Sequence, residues 1–252
     1  MTGQPQTPAV CRYIFALDAP RSLSASDGYR LWAWLLGEIG EENAAALHDS
    51  TEKPFSHGTY YDAERKGFVW KICLLSREMC GLFMPVLDRA GSVRLGRETV
   101  GLTLVERSSF ACTAELVREL SAPGDAMLVR LHFLTPTAFK SRGEYVIFPE
   151  VHQIVRSLVG RWNSLFPDEA QLADMAVPLM TDVLRIRDYD LRTCRFGLKD
   201  SKVPGFTGSV LLMPVPQGER SAELIGQMLG FAEYAGVGIK TALGMGCVSV
   251  TR

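Results

Sequence analysis

The chain has 252 residues, is 47% hydrophobic and 22% charged, and carries a formal net charge of −1. That balance fits a globular chain forming one large domain or two of about 100–150 residues, with a core that needs neither disulfides nor a structural metal. Near-neutral charge argues against a protein that coats nucleic acid through a large positive field, and leaves room for a selective RNA binder with one local basic surface.

Residues 10–20 alternate and are rich in aromatic and β-branched side chains, which predicts a strand. Asp27 then caps a helix over 28–39, in which Leu31, Trp34, Leu35 and Ile39 recur at helical spacing. Residues 58–64 and 67–76 predict two strands around a turn near Arg65, Lys66 and Gly67. A helix over 77–91 ends at Gly91 and contains Pro85, an interruption that the pattern does not explain. Residues 93–108 return as a strand. The second half predicts a strand over 126–139, an amphipathic helix over 150–166, strands over 182–197 and 205–215, a helix over 219–235 and a last strand over 246–252.

Both halves read β-α-β-β-α-β, so the expected class is α+β with two tandem ferredoxin-like (RRM-like) domains. The expected division is 1–108, a linker over 109–125 where Ser-Ala-Pro-Gly-Asp breaks the pattern, and 126–252. Three inserts depart from the plain order: 49–58, 140–150 (expected as a hairpin) and 168–181 (a short helical piece). Residues 2–9 are expected to form a flexible tail.

The six cysteines are scattered without a CxxC pair, which fits a reducing compartment. No HExxH or clustered carboxylate set is present either, so no metal or other cofactor is expected. No apolar run has membrane-spanning length, and residues 1–9 lack a signal-peptide pattern, so the expected location is the cytoplasm with no membrane partner.

The densest motif is Gly236-Val237-Gly238-Ile239-Lys240-Thr241-Ala242-Leu243-Gly244-Met245-Gly246. A Walker loop is excluded because Ile239 separates Gly238 from Lys240. A dinucleotide fingerprint is excluded because Thr241 stands where its third glycine belongs. Both motifs also run strand–loop–helix, whereas this one runs helix–loop–strand. Two readings stay open: a turn that closes a helix onto an edge strand, and a close backbone approach to a phosphate.

With its flanking helix and strand, this loop resembles the CRISPR repeat-RNA endoribonucleases of the RAMP superfamily, the "Cas-six" type. Residues 47–56 (LHDSTEKPFS) are similar to that family's catalytic-histidine loop. Residues 134–149 and 156–163 are similar to its C-terminal half. The resemblance implies a metal-independent cut of CRISPR precursor RNA within each repeat, by 2′-OH attack, giving 2′,3′-cyclic phosphate and 5′-OH ends. It implies repeat RNA as partner, with other Cas effector-complex subunits as further partners. The alternative is a non-catalytic RNA-binding RAMP subunit of an effector complex.

Such a cut requires a base for the 2′-OH, an acid for the leaving 5′-oxygen, and a cation for the phosphorane. Histidine titrates near neutrality and suits the first two roles, and lysine suits the third. The resemblance places His48 and Lys53 in these roles, with Tyr29 on the preceding helix as a third candidate or else a core tyrosine. His57 departs from the family pattern; a second acid or base, an RNA contact and a polar loop residue all remain open. His132 and His152 read as strand and surface residues. For RNA grip, the candidates are Lys140 and Arg142 at the expected hairpin tip and the loop residues Gly236, Gly238, Lys240, Thr241, Gly244 and Gly246. A third set is the basic stretch containing Arg192, Arg195 and Lys199, for which a solvated strand face is the competing reading.

Overall fold

The computed structural model describes residues 7–50, 53–120, 128–166, 172, 175–215 and 219–252. The first half consists of β1 (Val10–Asp18), α1 (Asp27–Glu38), α2 (Glu41–Asp49), β2 (Phe55–Asp62), β3 (Gly67–Leu74), α3 (Arg77–Leu87), β4 (Ser92–Leu95) and β5 (Glu98–Phe110). Its antiparallel sheet has the order β2-β3-β1-β5-β4. After α4 (Thr113–Leu120), the second half contains β6 (Val129–Thr137), β7 (Phe139–Ser141), β8 (Glu144–Val146), α5 (Val151–Leu165), α6 (Ala176–Asp182), β9 (Leu184–Gly197), β10 (Lys202–Pro214), α7 (Glu219–Ala235) and β11 (Val248–Thr251). Its main sheet has the order β11-β6-β10-β9. With the edge strand β4 set aside, each sheet places its first strand between the third and the fourth, with the second outermost. This is the ferredoxin-like order, made twice.

Alternation along the strands and helical spacing along the helices give each half its own core. Tyr13, Phe15, Leu31, Leu35, Trp70 and Phe83 are buried in the first. Leu131, Phe133, Leu158, Trp162, Phe206 and Phe231 are buried in the second. The halves are joined by polar contacts that cross between them. Buried Lys71 donates to the Val248 carbonyl at 2.7 Å, Ser56 Oγ donates to the Tyr234 carbonyl, and the Gly197 amide donates to Ser26 Oγ at 2.9 Å. At Gly58 a Cβ would lie 2.4 Å from Cys247 Cβ, so only glycine lets β2 lie this close to the start of β11.

Several expectations are corrected. The single strand over 93–108 is a hairpin, β4 and β5, turning at Gly96 with φ 69°. The expected linker over 109–125 begins inside β5 and continues as α4, whose Leu116 and Leu120 are buried in the second core; residues 121–127 lie outside the described residues. Asp27 does not act as the cap of α1. It is the first helical residue, and its carboxylate accepts from Arg21 Nη2 at 2.5 Å and from the Ser24 amide at 2.8 Å. Pro85 is itself exposed, in the last turn of α3, where it costs one carbonyl its helical partner and nothing further along the chain. The hairpin over 140–150 forms as β7 and β8, with Arg142 at φ 49° and Gly143 at φ 87°, the paired positive dihedrals of a tight two-residue turn. Of the tail, residues 1–6 lie outside the described residues.

Candidate active site

Gly40, at φ 85°, ends α1 and lets the chain restart as α2, a helix that buries only Leu47. His48 stands in its last turn with 89% of its side chain exposed, and its Nδ1 lies 3.5 Å from Asp49 Oδ1. Lys53 folds back onto this helix end. Its ammonium donates to the carbonyls of Leu47, His48 and Ser50 at 3.3, 3.3 and 3.1 Å. These carbonyls lie at the negative end of the helix and include ones with no helical partner, so a lysine there caps the helix and balances its dipole. Lys53 and His48 are thereby tied to one structural unit, although the lysine's three donors are all engaged.

Arg161, on α5 of the other half, holds the same segment from behind. Its Nη1 donates to the Lys53 carbonyl at 3.2 Å and its Nη2 to the Phe55 carbonyl at 3.1 Å. Tyr29 is half-buried against the small cluster of Ala138, Phe196, Val203 and Met245. Among the described residues, no hydrogen bond or ring contact joins it to His48. Its observed partners make it part of the packing between the halves.

His57 is 2% exposed on β2, with the rings of Trp32, Trp70 and Phe55 at centroid distances of 5.9, 6.3 and 6.4 Å. Trp70 Nε1 donates to its Nδ1 at 3.4 Å. Burial pushes its pKa down to about 3, with the Ala242 carbonyl opposing. It is a neutral core residue on a strand, so the reading as a polar loop residue is corrected, and its burial fits neither acid–base chemistry nor RNA contact. His132 is half-buried beside Thr251 Oγ1, at 3.2 Å, and His152 is exposed on α5.

The glycine loop folds against the protein. All four glycines have positive φ: 72° at Gly236, 87° at Gly238, 103° at Gly244 and 67° at Gly246. Its amides bond inward, Val237 to the Gly246 carbonyl at 2.9 Å, Gly238 to Ser157 Oγ at 2.8 Å, Ile239 to the Ala138 carbonyl at 2.9 Å and Gly246 to the Pro136 carbonyl at 3.0 Å. Gly236, Thr241, Gly244 and Gly246 are buried, with Thr241 packed against the first and last of these glycines. These four residues close α7 onto β11, with protein as their observed neighbours. Gly238 is half-exposed and Lys240 exposed, so the loop's accessible part is short.

Elsewhere the basic candidates face outward. Lys140 and Arg142 are exposed on the hairpin, as are Arg192, Arg195 and Lys199 on and after the edge strand β9. Two arginines that sequence reasoning did not single out, Arg156 and Arg161, line a cavity of about 340 Å³ with Lys140, Gln153, Ser157 and Gly238. Both lie in the stretch 156–163 that resembles the RAMP family, and that resemblance was the one signal for them. An amphipathic helix otherwise presents arginines as ordinary solvated residues.

Among the described residues, no three His, Cys, Asp or Glu side chains are grouped to hold a metal ion. No helix among them is long and apolar enough to cross a membrane.

Comparison with known proteins bears on the fold and on what the chain resembles. The family model described as CRISPR-associated endoribonuclease Cas6 matches residues 131–248. The Cas6 endoribonuclease of Mycobacterium tuberculosis is 29% identical over 245 residues, 93% of this chain and 75% of that protein. That of Streptococcus thermophilus is 33% identical over 118 residues, 47% of this chain and 48% of that protein. Among solved structures, a Cas6 product complex is 22% identical with a TM-score of 0.76, covering 96% of this chain and 100% of that one. Thermus thermophilus Cas6 is 23% identical with a TM-score of 0.69, covering 99% and 100%. The doubled ferredoxin-like order, the relative aligned along nearly the whole chain and the family match across its second half agree: this chain is similar to the CRISPR-associated endoribonucleases of the Cas6 family.

Proposed function

We propose that this chain cuts CRISPR precursor RNA within its repeats by 2′-OH attack and needs no metal to do so. The 2′-oxygen attacks the adjacent phosphorus as its proton leaves to a base. The bond from phosphorus to the 5′-oxygen breaks, and that oxygen takes up a proton from an acid. A 2′,3′-cyclic phosphate and a 5′-hydroxyl result. His48 carries one of these proton transfers. Lys53 holds the helix end that presents the imidazole, and stabilises the phosphorane once one of its three donors turns from a carbonyl to a phosphoryl oxygen.

The observation that carries this reading is the union of an 89% exposed imidazole with a lysine-capped helix end. An exposed histidine on a fixed support suits a large polyanionic substrate that covers the site only when bound. Residues 1–108 then supply the catalytic loop. Residues 126–252 grip the RNA through Lys140 and Arg142 and through the exposed Arg192, Arg195 and Lys199 on the ribbon of β9 and β10. Gly238 and Lys240 stand beside these. Tyr29 supports the site through packing. The substrate places the reaction in the cytoplasm, where other Cas subunits take up the product.

The test is cleavage of repeat RNA from the protein's own genome in excess EDTA. Cleavage should persist with EDTA and stop when the nucleotide before the cut is 2′-deoxy. Cutting of the deoxy substrate sinks the mechanism, and loss of cutting in EDTA sinks metal independence.

A further inference from the structure

We propose that Arg161 is a positioning residue for this cleavage, resting on the assignment of His48 above. The guanidinium makes a two-point clamp, Nη1 on the Lys53 carbonyl at 3.2 Å and Nη2 on the Phe55 carbonyl at 3.1 Å, with Pro54 held between. Pro54 has a fixed φ and no amide to offer, so this stretch of loop gains its outside support through its carbonyls. The Pro54 carbonyl takes the Leu75 amide at 2.8 Å, and the two carbonyls flanking it take the arginine.

From the clamp, a continuous set of bonds leads to the chemistry. Arg161 fixes Lys53, Lys53 caps the last turn of α2, and that turn presents His48. Arg161 itself is anchored beside Trp162, which is buried in the second core. The orientation of a side chain in the first half is thus set by a helix of the second half. A planar fork suits this task better than lysine, because two parallel donors define an angle as well as a distance.

The same guanidinium lines the 340 Å³ groove with Arg156 and Lys140, and no carboxylate is among the lining residues. A groove with three cations and no acid fits a phosphodiester of the RNA backbone. One side chain therefore stands between the RNA-gripping groove and the catalytic loop. Substrate that fills the groove presses on the residue that aligns the imidazole.

The experiment measures single-turnover cleavage at saturating protein, and separately the binding of repeat RNA blocked by a 2′-deoxy at the cut. Arg161→Ala should slow cleavage about 10–100-fold, the scale of a misplaced catalytic group, while affinity falls less than about 5-fold. In a His48→Ala background the same change should add less than about 3-fold, because the clamp acts through the histidine. A purely structural role would instead lower the urea midpoint and reduce both quantities together. Arg161→Lys, which keeps charge and stem and reaches one carbonyl, should show the same pattern more weakly, and serves if the alanine variant does not fold. The proposal is overturned if cleavage stays within about 3-fold of the parent, if the loss disappears at saturation, or if the two losses multiply in the double variant. Failure of the underlying assignment appears separately, as near-parental cleavage by His48→Ala alone.

Discussion

Two loops of this molecule carry family-like sequence, and they direct their polar groups in opposite ways. In the glycine loop, the amides of Val237, Gly238, Ile239 and Gly246 all bond within the protein, and Gly236, Gly244 and Gly246 are buried. At the end of α2 the imidazole of His48 is left in solvent beside Asp49, and Lys53 holds its backbone. The first loop joins two segments of the protein; the second, on the function proposed above, is a mounted tool. A dense run of glycines identifies a place where two backbones meet, and in this loop the amides point to protein.

The largest expected effect is on the tool. His48→Ala should reduce the single-turnover rate about 10²–10⁴-fold, the usual contribution of a general acid or base. Its unfolding free energy in urea should stay within about 0.5 kcal/mol of the parent's, as for other exposed positions. The joint should respond in reverse. At Gly246, where φ is 67°, a Cβ would lie 2.2 Å from the Val237 carbonyl oxygen. Gly246→Ala should cost about 2–5 kcal/mol in urea unfolding, combining left-handed strain with overpacking. A stable Gly246→Ala protein with weakened RNA binding would return the buried loop to phosphate contact.

His57 sharpens the comparison because it packs against the joint: a Cβ at Gly244 would lie 3.2 Å from its Cε1. Its pKa is about 3 in the folded chain against an ordinary 6.5, so between those values the unfolded chain binds the extra proton. Stability is therefore full above pH 6.5 and falls as pH drops, by up to about 1.4 kcal/mol per pH unit from this group. His57→Gln should flatten that part of the denaturation profile and leave single-turnover cleavage at neutral pH within a few-fold. Cleavage abolished by this change in a folded protein would move the chemistry from α2 to β2.

The smallest effect belongs to the loop's exposed cation. Lys240→Ala should lower the slope of log affinity against log salt by about 0.7–0.9, one phosphate contact, with no change in the saturated cleavage rate. An unchanged slope would leave the glycine loop with no part in RNA binding.

How much of this was legible in the chain depends on the range of the interaction. The strand and helix order followed from local periodicity, and the Lys140–Arg142 hairpin from its insert and glycine. The hairpin inside 93–108 was missed because Gly96 interrupts an otherwise continuous strand pattern by a single residue. Helix α4 was missed because Ser-Ala-Pro-Gly-Asp nearby drew the boundary forward.

What the sequence by itself determined was the doubled β-α-β-β-α-β order and the family resemblance, because periodicity and motif spacing are properties of neighbouring residues. Tertiary structure alone decided that His57 is buried among tryptophans, that Gly236 and Gly246 face protein, and that Arg161 reaches Lys53 and Phe55 across more than a hundred residues. Burial and hydrogen-bond partnership are relations between segments that meet only when both sheets have formed. A histidine nine positions from another therefore reads almost alike in the chain and differs completely in the fold.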